Sequence, residues 1–425
     1  MLCANGEQLL QQFADATLVE EITPAAPGIY HVRGMGHSNA IVIEAEHSVM
    51  VIDPLETNVR GEKLKALIRT KTPKPVKTII FTHGHPDHCG GSAAFQDTVE
   101  EVIAFAPKRP VLGRSAAIRD ILNKRTARQF GYLLNDAEVI TQGLGKREGF
   151  TAGEGKYAIL TPTTLYHEEK VVRNIDGVEL HLVSAVGETD DQLFVWLPEH
   201  KILCCGDNFY ACWPNIYALR GGQYRDASAW IDSLDLILSY DAEILLPGHF
   251  APVIGKNKIQ EMLGTYRDAI AYVLDATLAG MNQGLTADEL AATIKLPEQY
   301  AKQPYLGEFY GTVAWTVRAI FSGYIGWFDG NPTNLNRETP KKMAQELLQL
   351  IRDENQLIRR IQQLLQENEP QLAAELCDVL LFSEANGKKA KQLKAECLLA
   401  LARMETSANG RHYYLACAKD LMLEG

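Results

Sequence analysis

Apolar residues recur at two different periods along this chain, and the change falls near Lys256. Before it, short apolar runs of strand length alternate with stretches of helical pattern. HSNAIVIEA (37–45) and HSVMVIDPL (47–55) read as two strands joined by a tight connection, and PVKTIIFTH (75–83) as a third that ends in a group of histidines. HLVSA (181–185), QLFVWLP (192–198), KILCCGD (201–207) and EILLPGH (243–249) continue the pattern. Runs this short and this apolar, several closing on a polar residue, predict buried sheets whose strand ends build a site. Beyond Lys256 the period is helical throughout, as in KMAQELLQLIRDENQLIRRIQQLLQ (342–366). From about Glu367 onward, EANGKK (384–389) and SANGRH (407–412) mark the turns of helical hairpins. Two regions follow, an α/β region over 1–255 and an all-helical one over 256–425. No low-complexity linker separates them, so they are expected to pack together.

Composition narrows the possibilities. At 425 residues, 46% hydrophobic and 22% charged, the chain is long enough for more than one buried core. A net charge of −11 argues against a nucleic-acid partner, which needs clustered Lys and Arg, while leaving room for a small anionic substrate at a local positive site. No run of 18 apolar residues appears, so no membrane span is expected. The first residues carry Asp and Glu and lack the pattern of a secretory signal. Eight cysteines without paired spacing then read as reduced thiols, and the cytoplasm is the expected compartment.

The chemistry concentrates at Thr82-His83-Gly84-His85-Pro86-Asp87-His88-Cys89-Gly90-Gly91, directly after a predicted strand. Imidazole and carboxylate together suit zinc or a similar first-row metal. Their alternation lets His83 and His85 face one metal while Asp87 and His88 reach a second. The glycines that follow let the chain turn closely past the site.

This HxHxDHxGG motif resembles the signature of the metallo-β-lactamase superfamily. Its flavodiiron branch has Glu where His85 stands, which argues against iron redox chemistry. The resemblance implies further ligands at later strand ends. Glu188, in Gly187-Glu188-Thr189, stands where the superfamily usually has a histidine; Asp207 stands where it places a bridging carboxylate; His249 supplies a last imidazole. Glu at 188 is similar to the alkyl sulfatases, which carry Glu at the second position too, so Asp207 is a shorter replacement. Two longer stretches extend the likeness. Asn215 to Asp226 (NIYALRGGQYRD) resembles that family's NLYTLRGAQ-RD segment, and Gly326 to Pro332 (GWFDGNP), with Tyr310 to Ile320 before it, resembles its YLGWFDGNP segment.

The resemblance implies a metallo-β-lactamase αββα sandwich followed by an all-helical dimerisation domain, and hence a homodimer. It implies a zinc-dependent hydrolase acting on alkyl sulfate esters, small anionic esters, with two zinc ions per chain. His83, His85 and Glu188 would hold one ion and Asp87, His88 and His249 the other, with Asp207 between them and an activated water as nucleophile; Asp87 and Asp207 are the expected catalytic carboxylates. Arg220, Arg318 and Asn215 occupy places where the family binds sulfate, with Lys146 of Gly143-Leu144-Gly145-Lys146 a further candidate. Asp53 is expected to orient ligands from below the metals or to cap its strand. Two departures bear on substrate: Phe130 replaces a family tyrosine, with Tyr132 as the neighbouring hydroxyl, and the chain ends where a sterol-carrier-like domain of secreted members begins. A substrate smaller than a long-chain detergent is expected. The same metals serve lactonases, thioesterases and β-lactamases, which form the alternative, with a non-catalytic metal-binding assembly protein as a third reading.

Overall fold

The computed structural model describes residues 5–109, 112–351, 353–384 and 387–423. Two sheets stack face to face. The first runs β1 (Glu21–Ala26), β2 (Ile29–Arg33), β3 (Ala40–Glu44), β4 (Val49–Ile52), β5 (Val76–Ile80), β6 (Glu101–Phe105) and β7 (Thr164–Tyr166) in spatial order. Its first four strands pair antiparallel and its last four parallel. The second sheet holds β8 (Lys170–Ile175), β9 (Val178–Ser184), β10 (Leu193–Leu197), β11 (Ile202–Gly206), β12 (Ile244–Pro247) and β13 (Val253–Ile254), in the order β13-β12-β11-β10-β9-β8.

Period-two alternation decides which side chains meet. Met50 and Ile52 of β4 and Leu193, Val195 and Leu197 of β10 face inward, joining Ile41, Ile80, Ile103, Leu182, Ile202 and Leu246 in the layer between the sheets. Their neighbours Val49 and Val51 face outward onto the helix Asn58–Lys71, through Leu64 and Ile68. Phe194 and Trp196 face outward on the other side, where the helices Ala227–Leu238, Lys256–Asn282 and Val313–Ile325 cover the second sheet. Both faces of the sheets are therefore apolar, as the unbroken apolar runs predict. The helix Lys256–Asn282 contributes Ile259, Leu263, Tyr266, Ile270 and Val273 to the same core as Phe194 and Leu245, so apolar packing is continuous across position 256.

The strands predicted around 37–55, 75–83, 181–207 and 243–249 are present. β1, β2, β6, β7, β8 and β13 were not anticipated; Thr23 and Pro24 break the apolar pattern of β1, β8 alternates exposed and half-buried residues, and β13 is two residues long. The helical stretch 342–366 divides in two, since Asp353 caps a new helix through Asn355 N–H at 2.9 Å. The turn expected at 407–412 lies instead at Glu405 to Ser407. The helix Ala408–Leu423 has already begun at Asn409 and Gly410, both buried against its neighbours. The turn expected at 384–389 includes residues 385 and 386, which lie outside the described residues.

Helices 340–351, 354–366, 370–382, 387–404 and 408–423 share a separate apolar core built on Leu357, Ile361, Cys377, Leu393 and Leu401. The last of them reaches back to the α/β region. His412 meets the carbonyls of Gln129 and Val139 at 3.1 and 2.9 Å, which anchors the segment carrying Phe130. Among the described residues no helix is long and apolar enough to cross a membrane.

Candidate metal centre

Seven ligand-type side chains converge at the carboxyl ends of the central strands, in two groups. His83, His85, Glu188 and Asp207 form one; Asp87, His88 and His249 form the other. His83 to His88 follow β5, with Pro86–Cys89 as one short helical turn that brings His88 back beneath the strand end. Glu188 leaves the β9–β10 connection, Asp207 follows β11 and His249 follows β12. Asp207 joins the groups: its Oδ2 lies 3.8 Å from His83 Nε2 and 3.3 Å from His249 Nε2, and its Oδ1 lies 3.4 Å from His88 Nε2.

Each buried imidazole is fixed from behind. His88 Nδ1 lies 2.7 Å from Asp53 Oδ2, His249 Nδ1 3.0 Å from the His37 carbonyl, and His83 Nδ1 3.0 Å from Thr82 Oγ1. Asp53 is itself gripped by the Thr82 amide and hydroxyl at 2.8 and 2.7 Å. With the rear nitrogens engaged, the Nε2 atoms face the cluster. Buried His88 Nε2, His249 Nε2 and Asp207 Oδ1 have no hydrogen-bond partner in the protein. Orphaned polar atoms of this kind need a partner, and a cation among them supplies it. Burial alone would raise the Asp207 carboxyl, but His249 and His88 hold it well below the ordinary range. Burial, reinforced by His88, keeps His83 well below the ordinary imidazole value and therefore neutral. Burial opposes charge on His88 and His249, but the carboxylates around them raise both, so these two imidazoles hold protons that a bound metal would displace.

Glu188 is held by a network that sequence reasoning missed. Its Oε1 accepts from Tyr210 Oη and pairs with the Arg225 guanidinium, both at 2.8 Å, while Oε2 lies 3.2 Å from His85 Nδ1. Arg225 lies in the stretch that drew attention to Arg220, but its type and position held no sign of its partner.

A cavity of about 660 Å³ opens above these groups. His85, Asp87, Glu188, Asp207, Asn215, Arg220 and Phe130 line it. Arg220 brings Nη2 to 3.4 Å from His85 Nε2, and its backbone is fixed by Gln129 Oε1 at 2.6 Å. Asn215 is buried with its side-chain oxygen unpartnered. Three expected contacts are not made within this chain. Arg318 does not reach the cavity of its own chain: on the helix Val313–Ile325 it lies on the exposed face that Ser322 continues one turn later, while Val317 and Ile320 turn inward. Its side chain, 45% exposed, pairs with Asp288 at 2.9 Å. Lys146 is exposed and borders a smaller neighbouring cavity of about 190 Å³. Nor does Tyr132 stand in for the hydroxyl absent at Phe130, because its Oη is committed to Glu148 at 2.6 Å.

Residues 33–249 match the metallo-β-lactamase superfamily model and residues 286–424 the alkyl sulfatase dimerisation model. The chain is 33% identical over 395 residues to a linear primary-alkylsulfatase of Pseudomonas sp. (strain ATCC 19151), covering 90% of this chain and 74% of that one. This chain belongs to the alkylsulfatases of the metallo-β-lactamase superfamily. It is also 30% identical to the alkyl/aryl-sulfatase BDS1 of Saccharomyces cerevisiae, spanning 62% of that protein's length. Among solved structures, the stereoselective inverting sec-alkylsulfatase Pisa1 from Pseudomonas sp. superposes with a TM-score of 0.87 at 26% identity, covering 97% of this chain and 67% of that one. The αββα sandwich, the helical region and a metal cofactor accord with this membership.

Proposed function

We propose that this alkylsulfatase-family chain hydrolyses sulfate monoesters of small alcohols with two zinc ions, which the two ligand groups, Asp207 included, would hold. The observation that carries the reading is the seating of a guanidinium and a buried amide, Arg220 and Asn215, over a two-group metal centre in one cavity. Imidazole and carboxylate donors without thiolate suit zinc, and two such ions supply Lewis acidity that brings a water's pKa towards neutrality.

The chain's own residues do the rest. Arg220 faces the free sulfate oxygens with a planar fork, and Asn215 offers its amide to the same group. Asp87, the cavity-lining carboxylate of the second group, holds the attacking water and takes up its proton. Arg225 and Tyr210 keep Glu188 from turning into the cavity. The products are the alcohol and inorganic sulfate. Match to the dimerisation model supports a homodimer built by 286–424. The seven described cysteines are free thiols, which suits the cytoplasm.

Zinc-loaded protein assayed on short alkyl and aryl sulfates, beside lactone and thioester panels, tests the reading. Sulfate release is expected with the sulfates and little turnover with the carbonyl substrates; the reverse order overturns it.

A further inference from the structure

The wall of the cavity contains a carboxylate that the hydrolysis does not use. Glu148 is 5% exposed and lines the cavity. Its Oε2 accepts from Tyr132 Oη at 2.6 Å and its Oε1 from Tyr157 Oη at 2.8 Å. Among the described residues no cationic side chain pairs with it: neighbouring Arg147 is committed to Asp136, Thr151 and the Leu134 carbonyl, and Arg60 to Glu56 and Glu154. Buried glutamates are ordinarily paired.

The position is built rather than incidental. The Glu148 amide donates to Gln142 Oε1 at 2.8 Å, and the next amide, Gly149, reaches Glu56 Oε1 at 3.2 Å. Arg60 ties down the same loop through the Arg147 carbonyl at 2.8 Å and Glu154 at 2.7 Å. Around the carboxylate stand four rings that all line the cavity. Tyr132 lies 6.0 Å from Phe130 and 4.8 Å from Phe150, and Phe150 lies 5.4 Å from Tyr157. Burial and the Glu148 charge push both tyrosine hydroxyls above the ordinary phenol range, so both remain donors.

We propose that this wall is a subsite for a cation, and that the alcohol portion of the substrate carries an ammonium group opposite its sulfate. Aromatic faces beside a desolvated carboxylate are the chemistry that recognises ammonium ions, quaternary ones included. A plain alkyl chain laid on the same wall strips water from Glu148 and returns nothing to it. The cavity then presents Arg220 to the anionic end and Glu148 to the cationic end of a zwitterionic ester. The inference rests on the sulfate-ester reading and names the class of alcohol.

Two esters of equal shape test it: 2-(trimethylammonio)ethyl sulfate and 3,3-dimethylbutyl sulfate, which replaces nitrogen by carbon. With zinc-loaded wild-type protein, kcat/KM is expected to favour the ammonium ester by about tenfold or more. Glu148→Gln is expected to collapse that ratio towards one, chiefly through KM for the cationic ester. Phe150→Ala, which leaves the carboxylate in place, is expected to reduce the ratio about threefold and serves if the first variant does not fold. Calorimetry with 2-(trimethylammonio)ethanol against 3,3-dimethylbutanol reads the subsite without turnover, and only the first is expected to bind. Equal turnover of the two esters, or a ratio untouched in both variants, overturns the proposal while leaving sulfatase activity intact. Binding of the ammonium alcohol that Glu148→Gln abolishes, without turnover of either sulfate, supports the subsite and refutes the sulfate reading instead.

Discussion

The Arg225 guanidinium lies 2.8 Å from Glu188 Oε1, and both side chains are buried. One carboxylate oxygen is thus occupied by a fixed cation, and the other, Oε2, is left facing His85 at 3.2 Å. Tyr210 alone would restrain Glu188 but leave its buried charge uncompensated, and a histidine at this position would need no such partner. The pair is therefore the structural counterpart of having glutamate among the metal-facing groups. Arg225→Met should lower kcat about 10- to 100-fold, as expected for a group that orients a ligand. It should also destabilise the metal-free protein by about 3–5 kcal/mol, because Glu188 becomes a buried charge without its cation. Adding Glu188→Gln should restore much of the stability but none of the activity. Denaturant titrations showing no such recovery would refute the pairing.

Metal content should follow the two ligand groups. Native protein is expected to hold about two zinc ions by elemental analysis, and His85→Ala about one, with activity lost by at least about a thousandfold. His85 sits on a strand-end loop, so its thermal transition should move little. A variant that keeps both ions and its turnover removes His85 from the centre.

Arg220 and Arg318 should separate cleanly. Arg220→Ala is expected to reduce kcat/KM for a sulfate ester about 10²- to 10³-fold, the loss seen when a charged contact to the reacting group disappears. Arg318→Ala, whose side chain pairs with exposed Asp288, should stay within about twofold. Equal losses would mean that Arg318 reaches a sulfate by a route outside its own chain.

Glu405 should make stability fall with rising pH. Burial raises its carboxyl from 4.5 to about 7, against the Ser407 amide, which favours the charged form. The folded state thus keeps a proton that the unfolded chain releases near 4.5. Its contribution is complete below that value and lost as pH rises through about 7. Glu405→Gln should flatten the dependence and gain on the order of 3 kcal/mol at pH 8, the upper bound set by that shift. An unchanged slope between pH 5 and 8 would contradict the assignment.

Self-association should pass through the apolar surface that follows the helix Val313–Ile325. Trp327 is 75% exposed, and Tyr324, Ile325 and Leu335 are exposed beside it in sequence. Light scattering should give about twice 47.1 kDa, and Trp327→Asp should shift the equilibrium towards monomer at least about tenfold. A wild-type monomer at micromolar concentration would exclude the dimer.

Local pattern carried much of this protein. The unbroken apolar run in QLFVWLP specified that both faces of β10 are buried, because successive side chains of a strand point to opposite sides. Spacing in His83-Gly84-His85-Pro86-Asp87-His88 brought four ligand-type groups to one strand end, because six residues cannot spread far. Glu188, Asp207 and His249 were legible only through resemblance, since nothing within a few residues of each marks it. Tertiary structure alone decided the partners of the charged groups. Arg225 and Glu188 are 37 residues apart in the chain, and Glu148 meets Tyr132 from the far side of a helical turn and Tyr157 by the folding-back of its own long loop. Arg318 stays out of its own chain's cavity for the same reason: packing buries Thr316, Val317, Ala319 and Ile320 around it and leaves it on the exposed face beside Asp288. Periodicity encodes which side of an element is buried, whereas the charge that a long side chain meets depends on how distant elements pack.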